Sequence, residues 1–260
     1  MSGFKGLWKK EWRLTLAFHI FVLLLQLVII GLTYWRVSSF NENFVLIPML
    51  LILILHIFYL PGFMLVSLGK EARMLHLFLH SPRSIHTIMG AKALNGLLFM
   101  VISLTVINGL IVYVLSRTEL FTGKVGEIIR LLLWGDVQLI ALSLEFSIFL
   151  FLLWTIRQLL KSYIGKWSIL ITILIFIAFP FVTYWLTTQP FYEFMTSWGE
   201  VSFGFIDLIQ NLDLDIGNFQ MEIEAEEDAT WYIGEVFVEL IFTVLFYWLA
   251  SYLLDKKVEV

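Results

Sequence analysis

Six stretches of this sequence are long and apolar enough to cross a bilayer, and none carries a lysine or arginine in its interior: Leu14 to Trp35, Phe44 to Leu68, Leu94 to Leu115, Ile128 to Ile156, Ser168 to Thr188, and Trp231 to Leu254. About 20 mostly apolar residues span the hydrocarbon core, and one basic side chain at a span centre costs about 2.5–3.5 kcal/mol of insertion free energy. Lipid offers no partner to backbone N–H and C=O groups, so these stretches must be helical. Of the 260 residues, 60% are hydrophobic and 15% charged, against roughly 25% charged in a soluble domain. The fold class expected is therefore all-α, a single polytopic membrane domain covering residues 1–260.

Charge distribution orients it. Lys5, Lys9, Lys10, Arg13, Lys70, Arg73, Arg83, Lys92, Arg157, Lys161, Lys166, Lys256 and Lys257 fall on one side of the span order, while Arg36, Arg117, Lys124 and Arg130 fall on the other. The positive-inside rule puts the larger set in the cytoplasm. Both termini then face inward, as an even number of spans requires, and the localisation expected is multi-pass in the plasma membrane. The first apolar run follows a basic start and lacks a small-residue cleavage site, so it reads as a retained span. Net charge of −4 implies no partner, nucleic acid included.

Three segments outside the spans carry pattern. In residues 3–13, Phe4, Leu7, Trp8 and Trp12 share one helical arc and Lys5, Lys9, Lys10 and Arg13 the opposite one, which predicts an interfacial helix; Glu11 on the apolar arc breaks the pattern. In residues 69–86, Glu71, Leu75 and Leu79 recur at helical spacing before Ser81-Pro82, a cap and first position for a second helix leading into the third span. Residues 189–230 hold ten acids, Glu193, Glu200, Asp207, Asp213, Asp215, Glu222, Glu224, Glu226, Glu227 and Asp228, and neither lysine nor arginine. Within that loop, Phe205 to Leu212 predicts a short amphipathic helix on the outer boundary.

The chemistry legible here is sparse. With no cysteine, disulfides, thiolate nucleophiles and cysteine-ligated metals are excluded, and no Walker loop, Gly-x-Ser-x-Gly or His-Glu-x-x-His occurs. His76 and His80, four apart, lack a third clear ligand and read as interfacial residues more readily than as a metal site. His19 and His56, alone in apolar runs, are expected to be satisfied by neighbouring helices. Asp136, Glu145, Glu235 and Glu239 are acids within or near spans and hence possible solute contacts. Hydration at the outer interface for Asp136 and Glu235, and bonds to neighbouring helices for Glu145 and Glu239, are the plainer alternatives.

The layout resembles the membrane subunits of the ABC type-2 exporter family. The resemblance covers nearly the whole chain: a helix ending in Lys10-Glu11-Trp12-Arg13, six spans, and a cytoplasmic connection in which Glu71 is followed by Leu75, Leu79, Ser81-Pro82 and Gly90-x-Lys92. It implies that Glu71, Arg73, Leu75, His76, Leu79 and Pro82 belong to a coupling helix docked on a separate ATPase subunit, which holds ATP and Mg; this chain would hold no cofactor and catalyse nothing itself. It also implies a second copy or a related membrane subunit, and short outer helices between spans five and six. The acidic exterior makes a cationic amphipathic peptide or other amphiphile the first expectation for the exported solute. Two competing expectations are a peptide-binding immunity or sensor protein that transports nothing, and a membrane enzyme using His76, His80 and His86 with Glu71.

Overall fold

The computed structural model describes residues 2–37, 45–72, 84–117, 125–201, 214–216, 219–221 and 231–256. Helices dominate these: α1 Ser2–Val37, α2 Leu46–Leu55, α3 Tyr59–Glu71, α4 Ile85–Leu115, α5 Val125–Ile164, α6 Ser168–Thr187, α7 Pro190–Thr196 and α8 Ile233–Lys256. Five continuous helical stretches among the described residues are long and apolar enough to cross a membrane: Phe4–Arg36, Leu46–Glu71, Ile85–Leu115, Val125–Thr187 and Ile233–Lys256. The protein is thus a polytopic helical membrane protein, and its apolar residues explain why: most point outward, where lipid covers them.

Two interruptions fall where the sequence demands them. Pro61 has no N–H to give to the carbonyl four residues back, and its ring presses on that carbonyl. The second stretch accordingly tightens into a 3-10 turn at His56–Phe58 between α2 and α3, and the Leu60 N–H reaches the Ser143 hydroxyl at 3.3 Å. The fourth stretch, 63 residues long, turns at Gly165, whose φ of +58° suits glycine. There α5 ends, a 3-10 turn Gly165–Trp167 follows and α6 begins. Phe149 stacks on Phe179 at 4.1 Å and lies 6.3 Å from Phe176. Those rings are about equally far along the chain from Gly165, so α6 runs back along α5.

Several boundaries differ from the sequence reading. Instead of an interfacial segment followed by a span, α1 is one helix of 36 residues, about 54 Å long at 1.5 Å per residue; between Trp8 and Arg36 the sequence has neither proline nor a capping break. The helix carrying the third span begins at Ile85, well before Leu94. Its cap is Ser84, whose hydroxyl accepts from Thr87 N at 3.3 Å. Ser81-Pro82 lies outside the described residues, as do Arg73, Leu75, His76, Leu79, His80 and the helix expected over Phe205 to Leu212. Between α6 and α8, α7 is followed by short strands, a departure from all-α. β1 (Glu200–Val201) pairs antiparallel with β4 (Trp231–Tyr232), and β2 (Leu214–Ile216) with β3 (Phe219–Met221).

The chain forms two compact units. In the first (residues 1–63, 91–144 and 204–227), Ile30 of α1, Met49 and Ile52 of α2, and Ile107 and Ile111 of α4 share an apolar core. Here Gly96 of α4 is a contact requirement: an added Cβ would run into Leu60 and come within 2.7 Å of the Phe63 ring. In the second unit (residues 64–90, 145–203 and 228–260), Phe149, Phe179 and Phe246 gather α5, α6 and α8. Gly199, with φ of +73°, turns the chain so that its carbonyl accepts from Ile233 N at 3.0 Å. Gly234 then packs directly on the Thr196 carbonyl, closing α7 onto the head of α8.

Candidate functional site

A polar seam runs along α1 where it meets α4 in the first unit. The residues of α1 at 11, 15, 19 and 26 fall close to one helix face, as do 92, 95, 99 and 103 of α4. At one end the Lys92 ammonium lies 2.9 Å from Glu11 Oε2, with each side chain 1% exposed. The Thr15 hydroxyl donates to Glu11 O at 2.7 Å and accepts from Asn95 Nδ2 at 2.9 Å. The other Nδ2 proton faces His19 Nε2 at 3.5 Å, and His19 Nδ1 lies 2.9 Å from the Tyr59 hydroxyl. The imidazole stacks on Phe99 with ring centres 4.0 Å apart.

Farther along, His56 Nδ1 donates to Ile52 O at 2.8 Å. That bond places the proton on Nδ1 and leaves Nε2 as the acceptor, 2.9 Å from Ser103 Oγ and 3.4 Å from Gln26 Nε2. Ser103 gives its single proton to Gln26 Oε1 at 2.8 Å, so the hydrogen that His56 Nε2 accepts comes from Gln26 Nε2, and side chains from three helices meet in one cluster. Both intramembrane histidines therefore find partners on neighbouring helices, as expected of them. What the sequence reading missed is the ion pair. Glu11, which spoiled the apolar arc, is the side chain that Lys92 requires, whereas the sequence counted Lys92 only as one of the charges of the cytoplasmic side.

The seam gives way to a pocket of about 310 Å³ in the same unit. It lies between one face of α4 (Thr105, Asn108, Gly109, Val112) and one face of α5 (Ile129, Leu132, Leu133, Asp136). Asn108 Nδ2 donates to Asp136 Oδ2 at 2.7 Å. Asn108 Oδ1 and Asp136 Oδ1 are buried and have no hydrogen-bond partner among the described residues. Asp136 is thus built into a helix contact beside a cavity, where the sequence alone had left open a hydrated position.

The other three predicted acids belong to the second unit. Glu145 of α5 comes near enough to Glu239 of α8 for their charges to repel. The Tyr192 hydroxyl of α7 is held above its ordinary titration range by burial first and then by the charges of Glu239 and Glu235. Glu145, Glu235, Glu239 and Tyr192 thus form one local group. Asp136 lies nine positions before Glu145 on α5, about 180° around the helix axis at 100° per residue, and belongs to a different face. Of the predicted coupling residues, Glu71 is described: it is buried at the end of α3. Nearby in sequence, His86 Nδ1 lies 2.9 Å from the Tyr247 hydroxyl on α8.

Intramembrane polar groups arranged this way do two things. Satisfied among themselves, they fix which helices pair and in what register; left with open acceptors beside a cavity, they offer a binding point. The seam is mainly of the first kind, although Asn95 Oδ1 is buried without a hydrogen-bond partner among the described residues; the cavity beside Asn108 and Asp136 is what makes that pair the second kind. No family model, no curated protein and no solved structure matches this chain.

Proposed function

We propose that this chain is the membrane-spanning subunit of an ATP-driven exporter of the ABC type-2 kind. It would make six crossings of the plasma membrane with both termini in the cytoplasm, and work with a separate ATPase chain and a second copy or related membrane subunit. The turn at Gly165 supports the sixth crossing, since α5 and α6, of 40 and 20 residues, are each long enough to span. With the turn counted, the basic residues near the start of α1, the end of α3, the start of α4, the end of α5, the start of α6 and the end of α8 all fall on one side, as the positive-inside rule asks of cytoplasmic ends.

The observation that carries the reading is the connection between α3 and α4. It is short, begins at the buried Glu71, ends at the Ser84 cap, and contains an apolar Leu75–Leu79 spacing that needs a covering surface. A force applied there acts on two long helices at once, and through Lys92 and Glu11 on a third. The chain itself has no phosphate-binding loop with which to draw on ATP, so the push must come from another polypeptide. Asp136, Glu145, Glu235 and Glu239 are assigned to the solute path, and a cationic amphipathic peptide is the solute their charge favours.

The test is capture. Full-length protein purified from its own membranes should bring down an ATPase chain that has no spans of its own, and Leu79→Asp and Glu71→Lys should each insert normally yet lose that partner. Crosslinking from residue 79 that recovers lipid and no nucleotide-hydrolysing protein would overturn the exporter assignment. A captured ATPase whose turnover is stimulated by a basic peptide that never crosses sealed vesicles would favour a sensor or immunity role instead.

A further inference from the structure

We infer that the pocket between α4 and α5 binds a primary ammonium group carried on an apolar body. Its polar wall offers more acceptors than donors. The Thr105 hydroxyl donates to Val101 O at 2.8 Å, which commits its one proton and leaves its two lone pairs as acceptors. Asn108 spends an amide proton on Asp136 Oδ2 at 2.7 Å. Asn108 Oδ1 and Asp136 Oδ1 remain buried without hydrogen-bond partners among the described residues, and such groups are costly to leave unmet. Beside the Thr105 oxygen, the Asp136 carboxylate lines the pocket and makes no ion pair among the described residues, so it supplies the negative charge and acceptors that R–NH3⁺ requires. A carboxylate or phosphate would meet repulsion, and a quaternary ammonium would bring charge but no donor.

The rest of the pocket is apolar, with Leu132 and Leu133 among its walls, and its volume of about 310 Å³ sits at the small end of ligand sites. It fits an ammonium with a short hydrocarbon neighbour and not a whole lipid or folded peptide. That chemistry occurs both in a free amine, such as a lysine side chain or peptide amino terminus, and in an ethanolamine lipid headgroup. The inference rests on the proposed placing of Asp136 on the solute path, but it requires neither the ATPase nor transport.

The experiment uses the full chain in nanodiscs of phosphatidylcholine, without any ATPase, and measures saturable binding of radiolabelled octylamine. The wild type should bind, octyltrimethylammonium and 1-octanol should compete at least tenfold less well than unlabelled octylamine, and Asp136→Asn should weaken binding at least tenfold. Gly109→Leu provides a second route, because a Cβ at Gly109 meets nothing within 4 Å; the added side chain fills the pocket without touching an acceptor and should weaken binding as much. If ethanolamine lipid added to the discs suppresses octylamine binding, the natural occupant is a headgroup; if it does not, the occupant is a free amine, and either result supports the site. Absence of saturable binding by the wild type, equal competition by 1-octanol, or unchanged binding in both variants would overturn it. Octylamine binding by a chain that captures no ATPase would remove the exporter reading and leave this one standing, and ATPase capture without octylamine binding would do the reverse.

Discussion

Helix α1 and helix α6 look alike as sequences and are built in opposite ways. Within the described part of α1, the buried positions are Glu11, Thr15, His19, Gln26 and Ile30, so four of the five buried residues are polar. In α6 the buried residue is Ser168, and Leu170, Leu174, Ile177, Phe181 and Trp185 face outward. A soluble protein would reverse this. In lipid, apolar surface gains nothing by turning inward, so helix pairing is specified by whatever lipid cannot solvate, which here means hydrogen bonds and one ion pair. The comparison teaches that α1 is held by directional contacts and α6 by its fit to an apolar solvent, and the two should respond oppositely to the same kinds of substitution.

The largest effect is expected at Lys92. Lys92→Met takes from the buried Glu11 its cation at 2.9 Å and leaves the exposed Lys10 ammonium at 3.9 Å, and removing one member of a buried pair costs about 3–5 kcal/mol. Glu11→Met combined with Lys92→Met should recover most of that loss, because two packed apolar side chains need no partner. Unfolding of the purified protein in mild detergent, followed by intrinsic tryptophan fluorescence, reads both; a double variant as unstable as the single one would mean that the pair is not what holds α1 to α4 there.

Next comes a charge placed on the outward face of α6. Leu174 is 56% exposed, and Leu174→Lys should raise the insertion free energy of this helix by about 2.5–3.5 kcal/mol, read as the fraction of chains whose glycosylation tag beyond α6 crosses microsomal membranes. Normal insertion would show that this face meets water or a partner and not lipid.

A smaller loss is expected where helices touch through glycine. Gly96→Ala places a methyl group against Leu60 and the Phe63 ring, and overpacking of this sort costs about 1–3 kcal/mol, partly offset by the roughly 1 kcal/mol that alanine gains over glycine within a helix. A rise in thermal stability for Gly96→Ala would show that Leu60 and Phe63 yield freely and that the close approach is incidental.

These cases also mark what a single sequence can and cannot disclose. The helical stretches were legible because twenty apolar residues in a row admit one solution in lipid, and the histidines at 19 and 56 were legible as residues needing neighbours. Which neighbours they take was not, since Thr15, Asn95, Gln26 and Ser103 are lone polar residues in apolar runs and pair across distances of up to 80 positions. Glu11 announced itself as an irregularity on its arc but pointed to no partner. That α1 continues unbroken into the first span was not legible, because a basic, aromatic segment reads as a separate interfacial helix by composition, whereas helix continuity depends on the absence of a terminator between Trp12 and Leu14. The Asn108–Asp136 pocket was half legible: the acid stood out, but the unmet oxygens beside it depend on the packing of α4 against α5.

The smallest effects separate the two helices most cleanly. Ser103→Ala removes the hydroxyl that donates to Gln26 Oε1. Interhelical hydrogen bonds in membrane proteins are worth about 0.6 kcal/mol on average and up to about 1.7, and the upper part of that range is expected because the Gln26 oxygen loses its donor in a buried place. Leu174→Ala removes more atoms from α6, yet they come from a side chain already turned toward lipid, so stability should change by less than about 0.5 kcal/mol. One hydroxyl would then outweigh most of a leucine side chain, the reverse of the order found in a water-soluble core. Matched thermal unfolding of the two variants in the same detergent decides it: if Leu174→Ala is the more damaging, α6 is covered by protein, and a second copy or partner subunit must be sought on that face.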